Sequence, residues 1–406
     1  MTGHERTFDP GVAQSVASLP EPPDYWSYST LREIESCARR YALGHASYTN
    51  LWKGKGYPQQ PHPAALFGDV VHDSLERIIK ALTEAGCTSS NSPEATAVLR
   101  ELGGYSAVAA EALAGRLARL DGNPRVNEGR RARLQQFLED RIPEVRTEIQ
   151  SYLQRMALVP KPSGAPDAGG RALPKFGPLS VGSHPEALLR SEELRVRGRV
   201  DLITVAAERA DIVDHKTGAE DPGHLDQLRF YAMLWDQDAV ANQDRTPVGT
   251  LTVSYPTTEV TIPAPDAEEL AALTTRTGER VAEADSEVLA EVPVATPGAQ
   301  CIHCSVRSLC DAYWDEAATD PADLSDGTWF DYEGVVRSQN GVKSWWMQSM
   351  RDGRKMLVRT PPGRPLSPGQ RLRILGVQRE DDPEVDAPVV TLTTNSELFV
   401  VVGESD

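Results

Sequence analysis

Between residues 194 and 218 the chain reads LRVRGRVDLITVAAERADIVDHKTG. Apolar and charged residues alternate over Leu194–Val205, the period-two signature of a half-buried strand. Ala210–Asp214 is a short apolar strand that ends in polar residues. Two strands this close form a hairpin, and helical stretches lie on both sides of it. The chain is therefore expected to be α/β, with its sheet in this stretch.

The surroundings fit that expectation. Residues 1–24 are polar and proline-spotted and read as a loose tail. Thr30 and Glu33 have capping-box spacing, and LREIESCARRYAL continues a helix from them. A second helix is predicted from Ala64 through LFGDVVHDSLERIIKAL, and two more helical patterns cover Pro93–Leu120 and Glu128–Met156. Pro160–Pro178 is a Pro- and Gly-rich loop. Beyond the hairpin, Gly218–Gly223 turns and His224–Val240 is helical. Val248–Ile262 reads as a hairpin. Ala267–Leu289 is a helix with Leu270, Leu273, Thr277, Val281 and Val288 on one face. After an acidic stretch, Asp315–Asp326, short strands divided by Gly and Pro suggest a small all-β module.

Two residues of the DHK sequence carry the chemistry. Asp214 and Lys216 are two apart, so on a strand they face the same way. Asp201, closing GRVD on the preceding strand, falls beside them. Two carboxylates and a lysine on adjacent strands suit a hard cation such as Mg²⁺ or Mn²⁺, with the lysine meeting phosphate or water. An isolated Asp-x-Lys pair is more often solvated surface charge, so neighbours must decide. Gln227 and Tyr231 share a face of the next helix at i, i+4 spacing. His72 on an upstream helix offers an imidazole. Each also has an ordinary structural explanation.

The five cysteines are an odd number, which argues against a disulfide framework. Cys301, Cys304 and Cys310 form C-x2-C-x5-C, leaving Cys37 and Cys87. Four thiolates hold a cubane iron–sulfur cluster or tetrahedral zinc equally well.

The order Glu186, GRVD at 198–201, DHK at 214–216 and QLRFY at 227–231 resembles the RecB-family branch of the PD-(D/E)XK nucleases. That branch includes AddB-type helicase–nuclease subunits and CRISPR-adaptation nucleases. The resemblance covers residues 25–315 and implies a restriction-endonuclease-like core with a helical insertion near 88–158. It implies that His72, Asp201 and Asp214 ligate a metal and that Lys216 is the catalytic lysine, acting with Asp214 and Asp201. Gln227 and Tyr231, and less closely Glu186, would contact DNA or support the site. SCARRY matches the family's CPRRY-like sequence with alanine in place of proline. By that match Cys37, Cys301, Cys304 and Cys310 would ligate a [4Fe–4S] cluster that staples the domain's ends. Cys87 matches nothing and reads as an incidental buried thiol.

The net charge is −17, which taken alone disfavours nucleic acid. The charge is uneven, however. Pro256–Gln300 carries nine acids and two bases, whereas Lys343–Leu375 carries eight bases and one acid. Bases interleaved with Trp345 and Trp346, and a PGQRLRILG turn and strand, resemble an OB-fold over 326–406, behind a linker at 316–325. Arg351, Arg354 and Lys355, with whichever tryptophan is free to stack, would contact a single strand. Otherwise the tryptophans are core and the arginines a solvated face. No G-x-x-x-x-G-K-[ST] occurs, so the chain is expected to act alone or downstream of a separate helicase or other repair or defence partner. With no apolar run of membrane length and no secretory signal, it is expected to be soluble and cytoplasmic.

Overall fold

The computed structural model describes residues 16–48, 51, 56–160, 176–317, 324–361 and 365–401. Residues 1–15 of the expected tail, 161–175 of the loop, 318–323 of the linker, Arg364 and residues 402–406 lie outside the described residues.

Strand β1 (Val16–Ser18) runs to helices α1 (Tyr28–Ser36) and α2 (Ala38–His45), then to β2 (Ser47–Tyr48), which pairs with β1. The capping box differs from the one the spacing predicted. Ser27 is the N-cap and Thr30 is the residue that reaches back, so the helix begins three residues earlier. It also breaks at Cys37, whose extended backbone (φ −171°, ψ 106°) ends α1 and starts α2.

Helix α3 (Pro63–Glu84) buries Phe67, Val70, Val71, Leu75, Ile78 and Leu82 at three- and four-residue intervals, the stripe of a core-facing helix. The next two helical patterns each split. The first gives α4 (Pro93–Glu101) and α5 (Tyr105–Arg119), separated by Gly103 and Gly104 at φ +81° and +84°, conformations that side chains disfavour. The second gives α6 (Glu128–Glu139) and α7 (Ile142–Arg155). Helices α3–α7 share one apolar core, closed by Leu202 and Val213 from the sheet.

The sheet comprises β3 (Gly182–Ser191), β4 (Val196–Val205), β5 (Ala210–His215), β6 (Val248–Ser254) and β7 (Glu259–Pro263), in that order. Only β5 and β6 are parallel, joined through α8 (Pro222–Gln237); the other pairs are antiparallel. Strand β3 escapes the sequence reading because Pro185 and a left-handed Glu186 (φ 52°) interrupt its alternation. Helices α1, α8 and α9 (Ala267–Leu289) cover one face, and α3 and α7 the other.

The C-terminal strands β8 (Trp329–Gln339), β9 (Ser344–Ser349), β10 (Lys355–Arg359), β11 (Arg371–Glu380) and β12 (Val389–Val400) close a five-stranded barrel. The order around it is β8-β9-β10-β12-β11, with β10 and β12 parallel. The cysteine-bearing segment lies against this barrel. Arg307 Nε donates to Asp331 (2.6 Å), and Arg373, 3% exposed, donates to Ser308 O (3.0 Å) and pairs with Asp311. Arg125, from the loop before α6, pairs with Glu397 of β12 (2.6 Å) and donates to Ser305 O (2.8 Å).

Candidate functional site

Strand register aligns three acids. Pro185 pairs with Leu202 and Ala187 with Val200, so Glu186 lies opposite Asp201. Leu202 pairs with Val213, so the next step sets Asp201 opposite Asp214. Glu186, Asp201 and Asp214 therefore form one row across β3, β4 and β5. Opposed like charges destabilise a sheet unless something neutralises them.

His72 projects from α3 onto this row, its Nδ1 3.4 Å from Asp201 Oδ1. Ligand atoms of His72, Glu186 and Asp201 lie within 4.8 Å of one another. Asp214, 1% exposed, has Lys216 Nζ 2.7 Å from its Oδ2. That contact is an ion pair without hydrogen-bond alignment, since Oδ2 is buried with no hydrogen-bond partner. Lys216 Nζ also donates to Gln227 Oε1 (2.9 Å), and Gln227 Nε2 donates to Tyr231 Oη (2.7 Å). The four residues make a continuous polar chain from the acid row onto α8. Gly198 of GRVD is what lets α8 come so close: a Cβ there would stand 2.7 Å from Tyr231 Cε1.

Electrostatics mark the row as strained when no cation is bound. Burial, then Asp201, pushes Glu186 up to about 8 and Asp214 up to about 7. Burial opposes charging of His72, but Asp201 overrides it and raises His72 to about 9. Burial opposes charge on Asp201 as well, yet His72, His215 and Lys216 hold it below the ordinary carboxylate range. His215 is pushed down to about 4 by burial, so it is neutral at physiological pH. Hard oxygen donors, an imidazole and a buried, unsatisfied Asp214 oxygen together fit a divalent cation.

The sequence-named residues of this group come together. Glu186, expected beside the DNA-contacting pair, is within ligand distance of His72 and Asp201. Asp214, expected with the ligands, lies one strand further along the same row, with Lys216 Nζ 2.7 Å from its Oδ2. Tyr152 of α7, which the motifs did not single out, donates from its hydroxyl to Lys216 O (2.9 Å).

Cys37, Cys301, Cys304 and Cys310 line one small cavity with Arg39, Arg40 and Tyr313, and all are free thiols. The Cys37 sulfur accepts the Arg40 N–H and the Cys301 sulfur the Gly298 N–H (3.4 Å each). Burial raises the Cys304 and Cys310 thiols. Cys87 is buried in the α3–α7 core, away from the cavity.

In the barrel, Trp345 is 5% exposed and packs in the core, so it cannot stack on a base; Trp346 is the outward one. The basic stretch is largely neutralised by acids outside it. Arg359 pairs with Glu380 and Asp382, and Arg371 and Arg373 pair with Glu333. Arg354 pairs with Asp352 (2.9 Å). Arg351, Arg354 and Lys355 stay exposed at the β9–β10 connection.

Sheet and site together define a mixed α/β domain that presents a cluster of acids and a histidine, a candidate cation site, beside a lysine. Residues 25–311 match the PD-(D/E)XK nuclease superfamily, and the chain belongs to that superfamily. Its members are nucleases that use divalent metals. No curated protein matches the chain. Among solved structures, the p204 HINb domain is 15% identical (28% of this chain, 56% of that one, TM-score 0.20). The OB domain of MM0293 from Methanosarcina mazei is 13% identical (21% and 84%, TM-score 0.18). SSO0001 is 21% identical (32% and 60%, TM-score 0.21). The chain thus spans little more than half of the first and last of these; scores this low leave the fold to be read from the strands. Among the described residues, no helix is long and apolar enough to cross a membrane.

Proposed function

We propose that the chain is a divalent-metal-dependent deoxyribonuclease that acts on single-stranded DNA or DNA ends in repair, recombination or defence. The observation that carries this reading is the row Glu186–Asp201–Asp214, with His72 against its first two acids and Lys216 2.7 Å from the third. His72, Glu186 and Asp201 would hold Mg²⁺ or Mn²⁺, with Asp214 completing the set. When bound, the ion supplies Lewis acidity and charge neutralisation for phosphodiester hydrolysis. Lys216, its ammonium fixed by Asp214 and Gln227, orients the attacking water and stabilises charge developing on the scissile phosphate. Tyr231 anchors Gln227 (2.7 Å), and Gln227 would contact the DNA, as the resemblance implies.

Four thiolates that line one cavity, two of them accepting a backbone N–H, form a [4Fe–4S] centre tying α2 to residues 301–310, as the RecB-like resemblance implies. The barrel's order, with its third and fifth strands parallel, supports an OB-like module. Trp346, Arg351, Arg354 and Lys355 give it a surface for a single strand, delivered by a separate helicase or another repair or defence partner.

The test is anaerobic purification followed by digestion of single- and double-stranded DNA, and of RNA, with and without Mg²⁺ or Mn²⁺. Metal-dependent DNA cleavage that Asp214→Ala and Lys216→Ala each reduce by several orders of magnitude is expected. Wild-type rates in those variants, or cleavage of RNA alone, overturn the assignment. Brown protein with iron and sulfide supports the cluster; colourless protein with one zinc per chain replaces it by a zinc centre.

A further inference from the structure

Helices α4–α7 contain none of the motif residues, yet α7 reaches the candidate site. We propose that Tyr152 is a positioning residue for Lys216, and that through it these helices are part of the hydrolytic machinery. The proposal rests on the reading in which Lys216 is the reacting ammonium.

The argument starts from the backbone of Lys216. Strand β5 ends at His215, so Lys216 is the first residue beyond the described strand. Its N–H still finds a partner, Ser254 O of β6 at 2.9 Å. Its carbonyl is taken by the hydroxyl of Tyr152, 1% exposed, at 2.9 Å. A carbonyl past the end of its strand's ladder needs such a partner when it is drawn away from water. With N–H and C=O both fixed, the Cα–Cβ direction of Lys216 is set, and from it the flexible side chain must reach Asp214 and Gln227.

Helix α7 holds the other side of that bond too. One turn beyond Tyr152's neighbour Ser151, Arg155 donates to Ser254 Oγ (3.2 Å) and to the carbonyls of Tyr255 and Pro256; Ser151 donates to Pro256 O. Ser254 is the residue whose carbonyl receives the Lys216 N–H, so one helix holds the Lys216 carbonyl and, through the Ser254 hydroxyl, the residue that accepts its N–H. The Tyr152 ring also stands edge-on to His215 (centroids 5.2 Å apart), and His215 stands edge-on to His72 (6.4 Å). A ring held only for packing would need no hydroxyl. Misplacement of a reacting group by about 1 Å costs on the order of 10²-fold in rate, so loss of one tether is large enough to measure.

The experiment compares Tyr152→Phe and Tyr152→Leu in the full chain, with Lys216→Ala as control. Single-turnover DNA cleavage at saturating Mg²⁺, DNA affinity and Tm are measured for each. Both Tyr152 variants are expected to cleave about tenfold slower than wild type, with DNA affinity unchanged, well below their melting temperatures. Tm should fall far more for leucine than for phenylalanine, so that rate follows the hydroxyl and stability follows the ring. Tyr152→Phe at the wild-type rate, rates that track Tm, or a loss that appears in DNA affinity each overturn the proposal. Lys216→Ala at the wild-type rate overturns instead the reading beneath it.

Discussion

The acid row of the sheet and the basic stretch of the barrel look alike as sequence: each is a concentration of one sign of charge. Folding treats them oppositely. Glu186, Asp201 and Asp214 are brought side by side, and Arg199 (3.5 Å from Glu186), Lys216, His72 and His215 relieve them only in part, since two of the three are still pushed far above ordinary carboxylate behaviour. Arg359, Arg371 and Arg373 are instead led to Glu380, Asp382, Glu333 and Asp311, all outside the stretch. Uncompensated charge calls for an external counter-ion, whereas compensated charge builds structure. A run of arginines is thus weaker evidence for a ligand than three acids in register.

Replacing Glu186 sharpens the contrast most. Glu186→Gln should lower cleavage by about 10²-fold or more, as removal of a preorganised group at a reacting centre does. It should also stabilise the metal-free protein. Because the folded-state pKa of Glu186 is raised to about 8, the folded chain holds a proton that the unfolded chain has released, and stability falls as pH rises from the ordinary glutamate range through about 8. The Tm advantage of Glu186→Gln without metal should therefore grow between pH 6 and 8.5. Mg²⁺ should raise the wild-type Tm more at pH 8.5 than at pH 6, since binding displaces protons. Thermal melts at both pH values, with and without Mg²⁺, measure this; an equal Mg²⁺ effect at both would show that the row carries no such cost.

Arg373 tests the other side. Its side chain is 4% exposed and bridges Glu333 to the cysteine segment. Arg373→Ala should destabilise the protein by about 3 kcal/mol, the usual scale for breaking a buried pair, in a denaturant titration. If the arginine serves nucleic acid instead, stability will hold and only DNA affinity will drop. The smallest effect is expected where the bases remain exposed. Joint replacement of Arg351, Arg354 and Lys355 by alanine should reduce the slope of log affinity against log salt for single-stranded DNA by about 2 at most, at about 0.7 per phosphate contact. An unchanged slope would leave the barrel no electrostatic share in binding.

Much of this was legible beforehand. Helix α9 has the bounds that its apolar face predicts, Ala267–Leu289, and the 194–218 hairpin forms where its alternation places it. What remained hidden depends on contacts between distant residues or on departures from regular geometry. Glu186 is a ligand candidate because a positive φ turns it into the row, and no periodicity encodes that. Trp345 and Trp346 are adjacent, so only the strand's orientation decides which one faces inward. Tyr152 lies 64 residues from the carbonyl it holds, with no motif around it.

The placement of Cys37 also bears on biosynthesis. It sits at the junction of α1 and α2, and its companions at 301–310 are more than 260 residues later in the chain. At about 5–20 residues per second, a ribosome takes on the order of 10–50 s to travel that distance. Throughout that interval the first thiol is in the cell without the three that will surround it, and helix α1 lacks α9, against which it will pack. The cavity can therefore close only after residues 301–310 have been made, and the barrel strands follow it out of the ribosome.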